Sequence, residues 1–127
     1  MLQQWVESLD MISEGIYGLS YKGSRHDQDG EGLAVLRGGK ILGSDRWGGV
    51  FTGTYKFDPV AEQNMVHVRI DIPPDGELIT GFAAGSTGAS FEIVAAFGRA
   101  APKSAATVEI AGSMVDVEFA FIGPLPN

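Results

Sequence analysis

The sequence predicts an all-β domain, an antiparallel up-and-down barrel of about eight strands. Three observations carry that reading. Between Gly30 and Phe57, apolar runs are separated by glycine corners, and Gly38-Gly39 parts Leu33-Ala34-Val35-Leu36 from Ile41-Leu42. A two-residue Gly-Gly turn supplies positive φ angles, so its flanks pair as antiparallel strands. Later runs alternate apolar and polar residues with the period of two that turns one face inward. Glycine, 18 of 127 residues, is about twice as frequent as usual and follows no repeat, which points to turns and crowded strand positions.

Taken in order, Met1 to Met11 is the helix candidate, because Leu2, Trp5, Val6 and Leu9 recur at helical spacing. Residues 1–14 are assigned as an N-terminal helical extension and 15–127 as a single barrel domain. Three turns are marginal alone, so the stripe docks on a barrel end or on another subunit. Met11 is an alternative start. Gly15 to Tyr21 is the first strand, with Tyr17, Leu19 and Tyr21 on one face, and Lys22 to Asp29 is a polar loop.

The meander follows, broken at Gly38-Gly39, at Gly43-Ser44-Asp45 and at Gly48-Gly49. Its last strand, Val50 to Phe57, sets Phe51, Gly53, Tyr55 and Phe57 against Val50, Thr52, Thr54 and Lys56. Asp58-Pro59 ends it, since proline cannot donate to a ladder. Met65 to Ile72 opposes Val66, Val68, Ile70 and Ile72 to Met65, His67, Arg69 and Asp71 before Pro73-Pro74-Asp75-Gly76 stops it. Leu78-Ile79 with Phe82 reads as a further short strand ahead of a small-residue loop, Gly81 to Ser90. Phe91 to Arg99 places Phe91, Ile93, Ala95 and Phe97 on one face. Ala105 to Ala111 and Val115 to Ile122 form a hairpin about Gly112-Ser113, with Val115, Val117, Phe119 and Phe121 facing one way. Closure into a barrel removes open edges and is the preferred architecture.

Composition narrows the function. With no cysteine, the chain has no disulfide, thiol nucleophile or thiolate metal site. The N-terminus carries two acids, no base and no long apolar run, which argues against a secretory signal, and no stretch is long enough to span a membrane as a helix. A cytoplasmic protein is expected. Formal net charge of −7 disfavours direct contact with phosphate backbones. Six of the nine bases (Lys22, Arg25, Arg37, Lys40, Arg46 and Lys56) lie between the first strand and the end of the meander, where solvated turns and strand faces account for them.

No catalytic set emerges. Asp27, Asp29, Glu31 and Gly32 match the start of a calcium loop, but its twelfth position is Gly38 and no helices flank it, so no metal is expected. Gly81 to Gly88 is glycine-rich without the Lys and helix of a phosphate cradle; a loop or lid is the better reading. His26 and His67 pair with no nucleophile, and no serine lies in Gly-x-Ser-x-Gly. No cofactor is expected. The inward face supplies a candidate ligand cavity: Tyr17, Leu19, Phe51, Tyr55, Ile93, Phe97, Val117 and Phe119. Eight-stranded barrels are either filled by side chains or hold one small apolar ligand, and both remain open at this point. For a dimer contact the candidates are Met65, His67 and Arg69, on the polar face of their strand.

Several segments together resemble the GrlR-type negative regulators of type III secretion, small bacterial proteins with a lipocalin-like barrel. They are Glu14-Gly15-Ile16-Tyr17, Gly30-Glu31-Gly32-Leu33, Gly39 to Asp45, Val50-Phe51-Thr52-Gly53 and Val117 to Leu125. The resemblance runs from about Ser13 to Leu125 and implies a homodimer with an apolar cavity that acts by binding a transcriptional activator. The founding regulator presents an acidic cluster after the matching strand; here that region, Asp58 to Gln63, holds two acids. Thr52-Gly53-Thr54-Tyr55 is similar to a streptavidin segment, but Trp5 and Trp47 are the only tryptophans, too few for that protein's aromatic box. The expected function is therefore non-enzymatic regulation through a protein partner. The alternative is a small apolar ligand carrier of lipocalin or streptavidin type.

Overall fold

A computed structural model of the chain describes residues 12–23, 29–45, 48–76, 85–98, 103–110 and 112–126. Eight strands follow one another: β1 (Gly15–Gly23), β2 (Asp29–Arg37), β3 (Lys40–Asp45), β4 (Val50–Asp58), β5 (Gln63–Ile72), β6 (Ala89–Phe97), β7 (Lys103–Ile110) and β8 (Ser113–Gly123). They form a single antiparallel sheet in the order β6-β5-β4-β3-β2-β1-β8-β7. Chain neighbours are sheet neighbours except β6 and β7, β8 returns to pair with β1, and the sheet curls into a barrel. The β6 and β7 edges lie side by side, yet among the described residues no ladder joins them. The barrel is nearly closed, with one seam.

Local sequence accounts for most of these elements. Gly38 (φ 59°) and Gly39 (φ 79°) adopt the left-handed pair that a two-residue hairpin needs, and Lys40 pairs with Arg37 across it. The break expected at Gly43-Ser44-Asp45 does not occur. Those residues continue β3, with Gly43 opposite Phe51 of β4, and the corner lies beyond Asp45. Gly43 reads as a turn residue in isolation, but here it is a strand residue kept small by the close approach of the β2 backbone: a Cβ would stand 2.5 Å from the Leu33 carbonyl oxygen. Asp58 shapes the β4–β5 turn, its carboxylate accepting from the Val60 and Ala61 amides.

The helix expected over Met1 to Met11 falls outside the described residues, as does the short strand expected at Leu78-Ile79 and Phe82. Ile12, Ser13 and Glu14, assigned to the helical extension, are not helical. Ile12 is buried in the barrel core with Tyr17, Leu36 and Phe119. The structural unit thus begins before Gly15.

Alternation holds through the sheet. Tyr17, Ala34, Leu36, Ile41, Phe51, Tyr55, Ile70, Ile72, Phe97, Val108, Ile110, Val115 and Phe119 are buried, and their chain neighbours on the same strands face outward. Two packed clusters occupy the two ends of the barrel. Tyr17, Leu36, Tyr55, Phe97 and Phe119 gather at one end, and Phe51, Ile70, Ile72, Val108, Ile110 and Val115 at the other. Leu19, Val68 and Ala95 touch both.

Candidate functional site: an apolar cavity inside the barrel

Between the clusters lies a cavity of about 150 Å³. Its walls come from every strand. β1 contributes Tyr17, Leu19 and Tyr21, β4 Phe51, β6 Ile93, Ala95 and Phe97, and β8 Val117 and Phe119. Seven of the eight expected cavity residues therefore line it. Tyr55 is the exception: it is buried in the adjoining cluster but does not reach the cavity wall. Residues not singled out from sequence also line it, including Ile12, Ala34, Leu36, Ile41 and Asp45.

Glycines on the inward face stand where a ring or a neighbouring backbone comes close. A Cβ at Gly30 would stand 2.0 Å from the Tyr21 ring, and one at Gly53 would stand 2.1 Å from the His67 carbonyl oxygen. Large residues thus lie opposite absent side chains, as in Tyr21 against Gly30 and Leu19 against Gly32. Phe119 stacks edge-on against both Tyr17 (centroids 5.4 Å) and Phe97 (4.6 Å). Such pairs add about 1 kcal/mol each beyond burial and fix the ring orientations around the void.

Polar groups cross-link the wall near its two ends. At one end Asn64, fully buried, accepts from the Ile12 amide (3.0 Å) and donates to the Gly98 carbonyl (2.7 Å). It ties the approach to β1 to the exit of β6. There too, the Tyr17 hydroxyl donates to the Ser13 carbonyl (2.6 Å), and the Glu14 carboxylate accepts from the Gly38 amide (2.5 Å). At the other end the Tyr21 hydroxyl donates to Asp45 Oδ2 (2.6 Å) while Asp45 Oδ1 accepts from the Gly49 amide (2.9 Å). Burial pushes the Tyr17 and Tyr55 hydroxyls above their usual pKa, and each is raised further by a neighbouring acidic group, Tyr55 for Tyr17 and Glu14 for Tyr55. Both stay protonated well past neutrality.

Asn64 and Asp45 were missed from sequence, and each left a signal. Asn64 is in phase with Val66, Val68, Ile70 and Ile72, so a polar side chain sits on the core face of β5 and must find partners there. Asp45 was obscured by reading Gly43-Ser44-Asp45 as a corner.

The expected dimer-contact residues lie together on the outer face of β5. Met65 is partly exposed, His67 Nε2 stands 3.8 Å from Glu92, and Arg69 bonds Asp71 and Ser90. The hydrogen bonds from Ser90 and Arg69 hold the Asp71 carboxyl below its ordinary pKa. A second outward surface is more apolar. Cross-strand pairing sets Ile16, Val35 and Leu42 in one row and Gly18 and Leu33 in the next, with Ile122 of β8 over Gly18. Leu33, Leu42 and Ile122 are each more than half exposed.

Among the described residues no group of three or more His, Asp or Glu side chains could hold a metal ion, and no helix is long and apolar enough to cross a membrane. Of the calcium-like stretch, Asp27 lies outside the described residues, while Glu31 and Gly32 are strand residues of β2. No protein-family model matches the chain, and no curated protein matches it. The resemblance to the GrlR-type regulators therefore rests on the short sequence segments alone.

Proposed function

We propose that this protein is a non-enzymatic binding barrel whose interior takes a small apolar ligand. One observation carries the reading: a cavity of about 150 Å³ lies within walls whose described residues are apolar except for two tyrosines and one aspartate. Apolar cavities of about this size accept benzene or xenon, and walls with so few polar groups hold water poorly, so the space suits an apolar guest. Among the described residues the interior brings no nucleophile, base and oxyanion donor into mutual reach, and binding is the chemistry such walls support. Xenon-dependent amide shifts of the labelled protein test this. Shifts centred on Leu19, Val68 and Ala95 are expected. A spectrum unmoved by xenon would mean a filled interior and end the proposal.

A second reading follows from the outer face. The rows of Ile16, Val35 and Leu42 and of Leu33 and Ile122 favour docking of a protein partner. By the resemblance that partner is a transcriptional activator, the protein is a regulator working in the cytoplasm, and it associates as a homodimer. The double variant Leu33→Glu/Leu42→Glu separates the readings. It should abolish regulation and association while leaving the xenon shifts intact. Unchanged regulation and sedimentation would remove this surface from consideration.

A further inference from the structure

We infer that the cavity selects an uncharged, single-ring hydrocarbon of about the size of toluene and rejects charged rings of the same size. The inference rests on the reading of the cavity as a ligand site and adds the chemical class. Size sets the first limit, since about 150 Å³ suits one ring and not an extended acyl chain. The cross-links set the second. The Ile12–Asn64–Gly98 bridge and the Tyr21–Asp45 bond tie separate strands together near opposite ends of the wall, so the cavity does not widen freely around a larger guest.

Wall chemistry sets the third limit. Among the described residues the cavity lining contains no Lys, Arg or His, so a carboxylate or sulfonate would lose its water and meet no counter-ion there. The charged group that does line it, Asp45, repels an anion. Asp45 is also a poor anchor for a cation, because its two oxygens already accept from the Tyr21 hydroxyl and the Gly49 amide. The Tyr17 hydroxyl proton is committed to the Ser13 carbonyl. A neutral guest with no donor or acceptor therefore loses least on entry. An aromatic guest gains most, since Tyr17, Phe97 and Phe119 already form an edge-to-face array that a further ring can join.

The test titrates the labelled full chain with toluene, benzoate and benzylammonium, three rings of similar size and different charge, beside xenon. Toluene should shift the same amides as xenon and bind at least about tenfold more tightly than either charged ring, the discrimination expected when an ion is left without its water. Benzoate or benzylammonium binding as tightly as toluene, with xenon also bound, would overturn the ligand class and leave the binding barrel standing. Xenon bound without toluene would likewise defeat the ring-sized class alone. Silence from both xenon and toluene would defeat the class and the binding reading together.

Discussion

Replacing Asn64 should loosen the tie between the approach to β1 and the exit of β6. Its side chain is fully buried, accepting from Ile12 and donating to Gly98. Asn64→Ala strands the Ile12 amide in the core, where an unpaired donor costs about 1–3 kcal/mol. The Gly98 carbonyl, at an exposed residue, regains water and costs less. With the small void left behind, the expected loss is about 3 kcal/mol, a large part of a stability of roughly 5–15 kcal/mol. For a chain of this length that lowers Tm by about 12 °C. Urea titration and calorimetry of both proteins measure it.

Asn64→Asp sharpens the test. Its carboxylate can still accept from Ile12 but meets the Gly98 carbonyl with an acceptor in place of a donor. The folded-state pKa of the new Asp is then raised above its unfolded value of about 3.9. The sign follows: the variant is most stable below about pH 4, where the proton restores the donor, and loses stability as pH rises through the folded pKa. Measured as a difference from the parent at each pH, the deficit should shrink on acidification. A loss under about 1 kcal/mol for Asn64→Ala, or a pH-independent deficit for Asn64→Asp, would refute the bridge as a stabilising tie.

Three further outcomes are expected. Gly53→Ala should cost about 2 kcal/mol or more in chemical denaturation, because its Cβ meets the His67 carbonyl oxygen, a backbone atom that cannot swing aside. Tyr21→Phe should cost about 1 kcal/mol by removing the bond to Asp45, with the toluene site retained, as urea midpoints and amide shifts would record. Alkaline titration should show Tyr17 and Tyr55 ionising late. Because their folded values are raised, stability is level below about pH 10 and falls as pH climbs through those values, and Tyr55→Phe should weaken that fall in tyrosinate absorbance and in unfolding alike.

Strand identity and inward face were legible in the sequence because a half-buried strand writes its burial as a period of two. Val66, Val68, Ile70 and Ile72 announced the core face of β5, and Gly38-Gly39 announced a hairpin whose geometry demands positive φ. These are local constraints, felt by each residue through its own chain neighbours. Most of the cavity wall was readable for the same reason, Tyr17, Phe51, Ile93, Phe97, Val117 and Phe119 all being in phase with their strands.

What the tertiary structure alone decided depends on partners distant in sequence. Asn64 is an ordinary strand-opening polar residue until Ile12, 52 positions away, and Gly98, 34 positions away, meet on it. Asp45 belongs to a turn by its neighbours Gly43 and Ser44 and joins the cavity wall where Tyr21 reaches it over the intervening strand β2, past Gly30 and Gly32. Tyr55 has the inward phase of a cavity residue, but its position along the barrel sets it in the adjoining cluster, and periodicity says nothing of that height. Whether the interior is filled or hollow is likewise a sum over all eight strands of side-chain volumes and glycine gaps. No single segment carries that sum, so the sequence determined the wall and the folded chain determined the void inside it.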